Sequence, residues 1–371
     1  MVIACFLPSA AYGGPATVAA QQASELAKRG HDVTVLTTNV LDPRKKEYSI
    51  LYEEDVQGYR VKRFPAKAFS GSFASIYSTT MNGWLKKHSQ EFDVFHIHYA
   101  RGFTPWAQTE ILIRSKAKVF LQPHGMLDRV SGIRKWLDIF ITKRHLARAA
   151  QVFVLQGYES KIIQKIQKFV QVSIIPNGID MNSDLPVWRG EENPCPVILF
   201  LGRLHPRKRV IEFIKAGYQL IQKYPQIQMR IVGPDGGEEV LARSYINDHG
   251  CIEKFIFVGP VKHEEALKEF SNAKIFVLPT NEENFSLAVL EALAIGVPTV
   301  VTDTTHNLNV LTEYDAVEVS CPDALSLAKS IDKLLSDPLL RLKRSENGKK
   351  TIEQKLSIQR IVDLIEGHYQ E

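Results

Sequence analysis

The sequence predicts an α/β protein made of two doubly wound, mostly parallel sheets in tandem. Three observations carry that reading. Short apolar runs rich in Val, Ile and Phe alternate with helical patterns through nearly the whole chain. Those runs are near-continuous rather than alternating, the mark of strands covered on both faces. They are also too many for one ordinary sheet, and a polar, proline-rich stretch at 180–196 divides them.

Before that stretch the apolar runs lie at 2–7, 32–37, 59–64, 93–98, 118–122, 151–155 and 172–175; after it they lie at 197–201, 228–232, 254–258, 274–278, 297–301 and 316–319. Helical patterns between them include Ala16 to Lys28, Pro105 to Arg114, Ile133 to Ala150 and Ser286 to Ala294. Pro338 follows Ser336-Asp337, a helix start with proline in the first turn. The closing segment, Pro338 to Tyr369, reads as helices broken near Gly348. The expected domains are 1–180 and 181–356. At 371 residues, two domains fit the usual size of about 100–200 residues each.

Composition narrows the class. With 44% hydrophobic and 23% charged residues, both domains can bury a core. No stretch reaches the roughly 18 apolar residues of a membrane span, and the opening run lacks the features of a signal peptide. The four cysteines, Cys5, Cys195, Cys251 and Cys321, are scattered, which points away from a disulfide framework or zinc site and towards a reducing cytoplasm. The net charge of +5 is uneven. Residues 1–177 hold 24 Lys+Arg against 13 Asp+Glu, and the remainder holds 22 against 28. A basic first half suits an anionic surface or substrate, or is ordinary solvated charge.

Ligands of open parallel sheets bind beyond the carboxyl ends of the strands, so the informative residues are those that follow strands. After the first run comes Pro8-Ser9-Ala10-Ala11-Tyr12-Gly13-Gly14-Pro15. Its paired glycines allow close backbone approach, and the next helix start offers free N–H groups to a phosphate. The spacing is not that of a dinucleotide fingerprint. His96 and His98 share one strand face, either as a metal pair or as satisfied core histidines. His124 precedes Gly125 in a strand-end loop, where its side chain can face a ligand. In the second half Gly202-Arg203-Leu204-His205-Pro206-Arg207-Lys208-Arg209 sets cations after a strand, suited to phosphate. The acidic second half and the lack of an aromatic platform argue against nucleic acid. Gly233 to Gly237 and Gly259-Pro260-Val261 are either close-approach loops or plain turns. Glu283 and Glu291 lie eight residues apart, in a loop and in the helix after it. The helix start can bind a second phosphate, and Glu291 can accept from a ribose diol.

These motifs in this order, with Ile175-Pro176-Asn177-Gly178-Ile179-Asp180 at the junction, resemble family 4 glycosyltransferases over nearly the whole chain. The resemblance implies the GT-B fold, with two Rossmann-like domains facing across a cleft, and a helix at about 357–371 returning to the first domain. It implies a retaining, metal-independent transfer from a nucleotide diphosphate sugar, with no cofactor. His124 would bond the donor sugar, and Arg203 and Lys208 would neutralise the leaving diphosphate. Gly13 and Gly14 would lie against the diphosphate or sugar. Glu283 with Asn284, Phe285, Ser286 and Leu287 would hold hydroxyls and phosphate, Gly233 and Val261 would line the donor, and Glu291 would hold the ribose.

The family usually reads Glu-Gly-Phe-Gly-Leu where this chain has Glu283-Asn284-Phe285-Ser286-Leu287. Serine adopts unusual backbone angles less readily than glycine, so this loop is expected to differ. Arg209 stands where a glycine often follows the lysine, and Gln156 stands where a serine is common.

Family prevalence favours UDP-glucose or a related UDP-hexose as donor. The acceptor is expected to be a saccharide or lipid-linked saccharide. Arg134, Lys135, Lys143, Arg144 and Arg148 beside Trp136, Ile139 and Phe140 suit either core packing or peripheral contact with an anionic cytoplasmic membrane face. Alternatives are a nucleotide-sugar 2-epimerase, a phosphorylase on the same fold, or a non-catalytic nucleotide-sugar binder.

Overall fold

The computed structural model describes residues 1–9, 12–128, 132, 136–181, 185–192, 195–250 and 252–370. Ala10, Ala11, Arg134, Lys135 and Cys251, all named above, lie outside the described residues. The chain divides into two compact units. One is Met1–Gly178 with Ile358–Glu371, and the other is Ile179–Ser357.

In the first unit the helix α1 (Gly14–Lys28) precedes β1 (Thr34–Thr38), β2 (Glu53–Val56) and β3 (Tyr59–Phe64). After α2 (Thr79–His88) come β4 (Val94–His98), α3 (Phe103–Leu112), β5 (Lys118–Gln122) and α4 (Lys143–Arg148). The series closes with β6 (Gln151–Val154), α5 (Gly157–Ile166) and β7 (Val172–Ile174). Strands pair in the orders β1-β3-β2 and β7-β6-β5-β4, parallel except for the β2–β3 hairpin.

Val2 joins these two ladders through parallel bridges to Leu36 and Ile97. A strand over 2–7 was expected, but Val2 alone makes bridges there. The Leu7 carbonyl accepts from Arg63 Nη2 at 2.7 Å rather than from a neighbouring strand, so the chain leaves the ladder early. The last helix, Ile358–Gln370, belongs to this unit. Its Ile358, Ile361, Val362 and Ile365, spaced for one helix face, are buried against Ile3, Ala19, Phe120 and Phe153 among others. Burying each such side chain stabilises by roughly 1.5–3 kcal/mol.

The second unit is the more regular. It runs β8 (Val197–Leu201), α6 (Val210–Lys223), β9 (Gln228–Val232), α7 (Glu239–Asp248), β10 (Phe255–Gly259) and α8 (His263–Asn272). It continues with β11 (Ile275–Leu278), α9 (Leu287–Ile295), β12 (Thr299–Thr302) and β13 (Val317–Ser320). The parallel order β10-β9-β8-β11-β12-β13 is doubly wound, reversing direction between β8 and β11. That reversal is where ligands of such sheets bind.

The helix Pro338–Thr351 starts on Asp337, whose carboxylate accepts from the Leu340 N–H at 2.9 Å. It is not broken at Gly348, contrary to the sequence reading. A Cβ at Gly348 would lie 3.0 Å from Leu293 Cδ2, so the glycine permits close helix packing. Helical structure ends instead after the wide turn Ile352–Leu356, at Ser357.

Candidate functional site

The carboxyl-end loops of the second unit are laced together across the β8/β11 reversal. Asn281 donates its N–H to the Arg207 carbonyl at 2.8 Å, and Thr280 Oγ1 donates to the same oxygen at 3.0 Å. Arg207 Nη2 donates to the Glu282 carbonyl at 2.7 Å. Lys208 Nζ meets Glu283 Oε2 at 2.5 Å, and Thr280 Oγ1 lies 3.3 Å from that same oxygen. The β12 loop joins in, since His306 donates its N–H to the Glu283 carbonyl at 2.8 Å. Two of the proposed site residues, Lys208 and Glu283, are therefore in direct contact. Arg203 is exposed and makes no ion pair among the described residues.

The unusual backbone angles fall elsewhere than expected. Ser286 has ordinary extended angles, φ −81° and ψ 119°. The left-handed residue of this loop is Glu282, with φ 55°. The departure Asn284-Phe285-Ser286 thus imposes no strain at Ser286. Its side chain does not cap α9, so the first-turn N–H groups lack that partner. Arg209 takes φ 53° and ψ 42°, a left-handed conformation usually given to glycine.

Glu291 sits on α9 with a side chain 13% exposed, and burial pushes its carboxyl up to about 7. His263 Nδ1, at the start of α8, lies 3.7 Å from Glu291 Oε1. No sequence signal marked this histidine, which follows the Val261 loop by two residues. Gly233 has φ 139°, and a Cβ there would lie 2.1 Å from the Gly202 carbonyl oxygen. The neighbouring backbone, rather than a ligand, demands that glycine.

In the first unit Gly13 (φ 79°) is the N-cap of α1, which begins at Gly14 and has no side-chain cap. His124 is left-handed, with φ 53°. Its ring stacks on His98 at 5.0 Å, and its Nε2 lies 2.7 Å from His98 Nδ1. His98 stacks in turn on His96 at 4.9 Å, and His96 Nδ1 meets the Tyr369 hydroxyl at 2.8 Å. The paired histidines stack with rings 6° apart and spend their Nδ1 atoms on these partners. Among the described residues no cluster of three or more His, Cys, Asp or Glu could hold a metal ion. Burial lowers His124 to about 3 and holds His98 well below the usual range, so both rings are neutral near pH 7.

The His124 loop has a second anchor that sequence reading missed. Glu159 is buried in the first turn of α5. Its carboxylate accepts from the Gly125 N–H at 2.5 Å and from the Leu155 N–H at 2.7 Å. Burial nonetheless pushes it up to about 7, against those two hydrogen bonds. Gln156 caps this helix through Oε1, which accepts from the Glu159 N–H at 3.0 Å. The residue that stands where a serine is common therefore caps this helix. The Gln156-x-x-Glu159 spacing was the available signal.

The two units match different family models. Residues 189–351 match glycosyl transferases group 1, and residues 13–178 match the glycosyl transferase 4-like domain. The chain belongs to the group 1 glycosyltransferases of family 4. Among similar proteins, an Escherichia coli UDP-Gal:alpha-D-GlcNAc-diphosphoundecaprenol alpha-1,3-galactosyltransferase is 26% identical over 312 residues, covering 77% of this chain and 76% of that one. A Mycolicibacterium smegmatis phosphatidyl-myo-inositol mannosyltransferase is 26% identical over 349 residues, covering 89% and 83%.

Solved structures share the fold of this glycosyltransferase. Sucrose-phosphate synthase from Thermosynechococcus elongatus gives a TM-score of 0.77 at 19% identity, covering 100% of this chain and 98% of that chain. Anabaena HepE in complex with UDP gives 0.75 at 14% identity, covering 100% and 99%. The fold class is GT-B, with two Rossmann-like units. No helix among the described residues is long and apolar enough to cross a membrane.

Proposed function

We propose that this glycosyltransferase moves a hexose from a UDP-hexose, UDP-glucose or a close relative, to a saccharide or lipid-linked saccharide, retaining anomeric configuration without a metal or cofactor. The observation that carries the proposal is the Lys208–Glu283 contact at 2.5 Å within the laced loops at the β8/β11 reversal. A cation held there is pre-aimed at charge developing on a departing diphosphate. Arg203 adds a forked donor, and the uncapped start of α9 adds backbone N–H groups.

Glu283 accepts from Lys208 through Oε2, which leaves Oε1 for a sugar hydroxyl. Asn284, Phe285, Ser286 and Leu287 shape the same pocket wall, with Gly233 and Val261 beside the base. Glu291 takes the ribose diol. From the first unit, Gly13 and Gly14 meet the diphosphate and His124 meets the sugar. The acceptor hydroxyl attacks on the face the diphosphate leaves, and its proton passes to the departing phosphate oxygen. The choice of a uridine donor and a lipid-linked acceptor is supported by the E. coli relative, named for UDP-Gal and a diphosphoundecaprenol acceptor, and by the UDP complex of HepE. We place the enzyme at the cytoplasmic membrane face. Exposed Trp136 and Phe140, stacked at 6.3 Å near exposed Lys143 and Arg148, supply an apolar and basic surface for that contact.

Calorimetric titration with UDP, GDP and ADP, each with and without EDTA, tests the donor site. UDP should bind in both conditions, and Arg203→Ala and Glu291→Ala should weaken it. Tighter binding of another nucleotide refutes the uridine assignment. Loss of binding in EDTA refutes the metal-free mechanism. Unchanged affinity in both variants refutes the residue roles.

A further inference from the structure

We propose that His98 is a positioning residue that holds His124 in its Nδ1–H tautomer, so that His124 offers the donor sugar an N–H rather than a bare nitrogen. This rests on the reading of His124 as a sugar contact. The two rings are stacked 6° from parallel, and 2.7 Å separates His98 Nδ1 from His124 Nε2. One proton occupies that contact, because both rings are neutral, and its owner decides what His124 presents.

The His98 environment settles the ownership. His98 is fully buried, and no protein group among the described residues hydrogen-bonds its Nε2. A proton on Nε2 would be a buried N–H without a protein acceptor. Orphaned buried N–H groups are rarer than under-satisfied acceptors. The proton therefore sits on His98 Nδ1 and is donated to His124 Nε2. His124, neutral and accepting at Nε2, must carry its own proton on Nδ1. Among the described residues the hydrogen bond of the His124 ring is the one at Nε2.

His124 is then a hydrogen-bond donor to sugar oxygens and not a general base, which suits a reaction whose acceptor proton leaves on phosphate. The loop keeps the ring in place through the Glu159 contact to Gly125 and the left-handed angle at His124 itself.

Long-range ¹H–¹⁵N spectra of histidine-labelled protein read the tautomer directly. The wild type should show His124 as a single Nδ1–H form. His98→Phe keeps a stacked ring without the hydrogen bond. It should give mixed tautomers and slow turnover of labelled nucleotide sugar with lipid extract by on the order of 10–100-fold. His98→Asn, whose amide reaches the same place as Nδ1, should restore both. A wild-type Nε2–H tautomer overturns the proposal, and that spectrum needs no variant to fold. A tautomer unchanged in His98→Phe overturns the positioning and leaves the site reading of His124 intact. Mixed tautomers with unchanged turnover overturn the sugar contact itself.

Discussion

The two units arrange their strands alike, yet they fix their carboxyl-end loops by opposite means. In Ile179–Ser357 the loops are held by charges at the surface: Lys208 on Glu283, and the Arg207 guanidinium on the Glu282 carbonyl. In Met1–Gly178 the corresponding loop is held from beneath, by the neutral column His124–His98–His96 and by Glu159. Partly solvated cations can be lent to an anionic ligand with little desolvation. A buried neutral column cannot meet a phosphate charge, but it can present one directed hydrogen bond. The contrast suits a proposed division of labour between side chains, in which Lys208 meets the diphosphate charge and His124 gives one hydrogen bond to a hydroxyl.

The sharpest test of that division is Lys208→Ala. It should lower turnover by about 10²–10³-fold, measured with saturating labelled nucleotide sugar. A smaller loss than Arg203→Ala would move the leaving-group role to Arg203. Next, His124→Ala should lower turnover by on the order of 10²-fold with UDP affinity unchanged by calorimetry. An equal loss of UDP affinity would break the comparison, because His124 would then hold the nucleotide rather than the sugar.

Glu291→Gln probes a largely buried carboxyl of the second unit that burial pushes up. Its folded value near 7 exceeds the ordinary value of 4.5, so the folded form holds its proton more tightly than the unfolded form does. Wild-type stability from this group is full below about pH 4.5 and falls as pH rises to about 7. The variant should therefore be more stable than wild type above pH 7, by up to about 3 kcal/mol, and no different at pH 4. Chemical denaturation at both pH values reads the effect. A margin that does not change with pH would mean that folding leaves the carboxyl's proton affinity unchanged.

The smallest effect is at Arg209→Gly. Relieving a left-handed arginine gains roughly 1–2 kcal/mol, and the unfolded-state entropy of glycine offsets about 0.5–1 kcal/mol of it. A net gain under about 1 kcal/mol is expected. A loss of stability would show that the Arg209 side chain supports the fold.

Much of this was legible from sequence for a physical reason. The runs 197–201 and 228–232 became strands over those residues, because strands buried on both faces leave continuous apolar runs. Gly348 misled because a glycine in a helical pattern marks either a break or a close approach, and the Leu293 contact that decides it lies 55 positions away in sequence. Glu159 was passed over because a glutamate in a first helical turn ordinarily faces solvent. Only the fold brings the Gly125 and Leu155 N–H groups to it. The left-handed angles at His124 and Glu282 left no mark, since neither residue is a glycine, whereas Arg209 stands where a glycine often follows the lysine.

The return of Ile358–Gln370 to the first unit sets an order of events during synthesis. The core around Ile3, Ala19 and Phe153 lacks Ile358, Ile361, Val362 and Ile365 until the final helix has been made. Arg29 likewise waits for its partners Asp363 and Glu366, each at 2.6 Å. The unit translated second holds all of its own strands by residue 320 and can finish first. The unit translated first must stay incomplete, with apolar surface uncovered, until Ile358–Gln370 has left the ribosome.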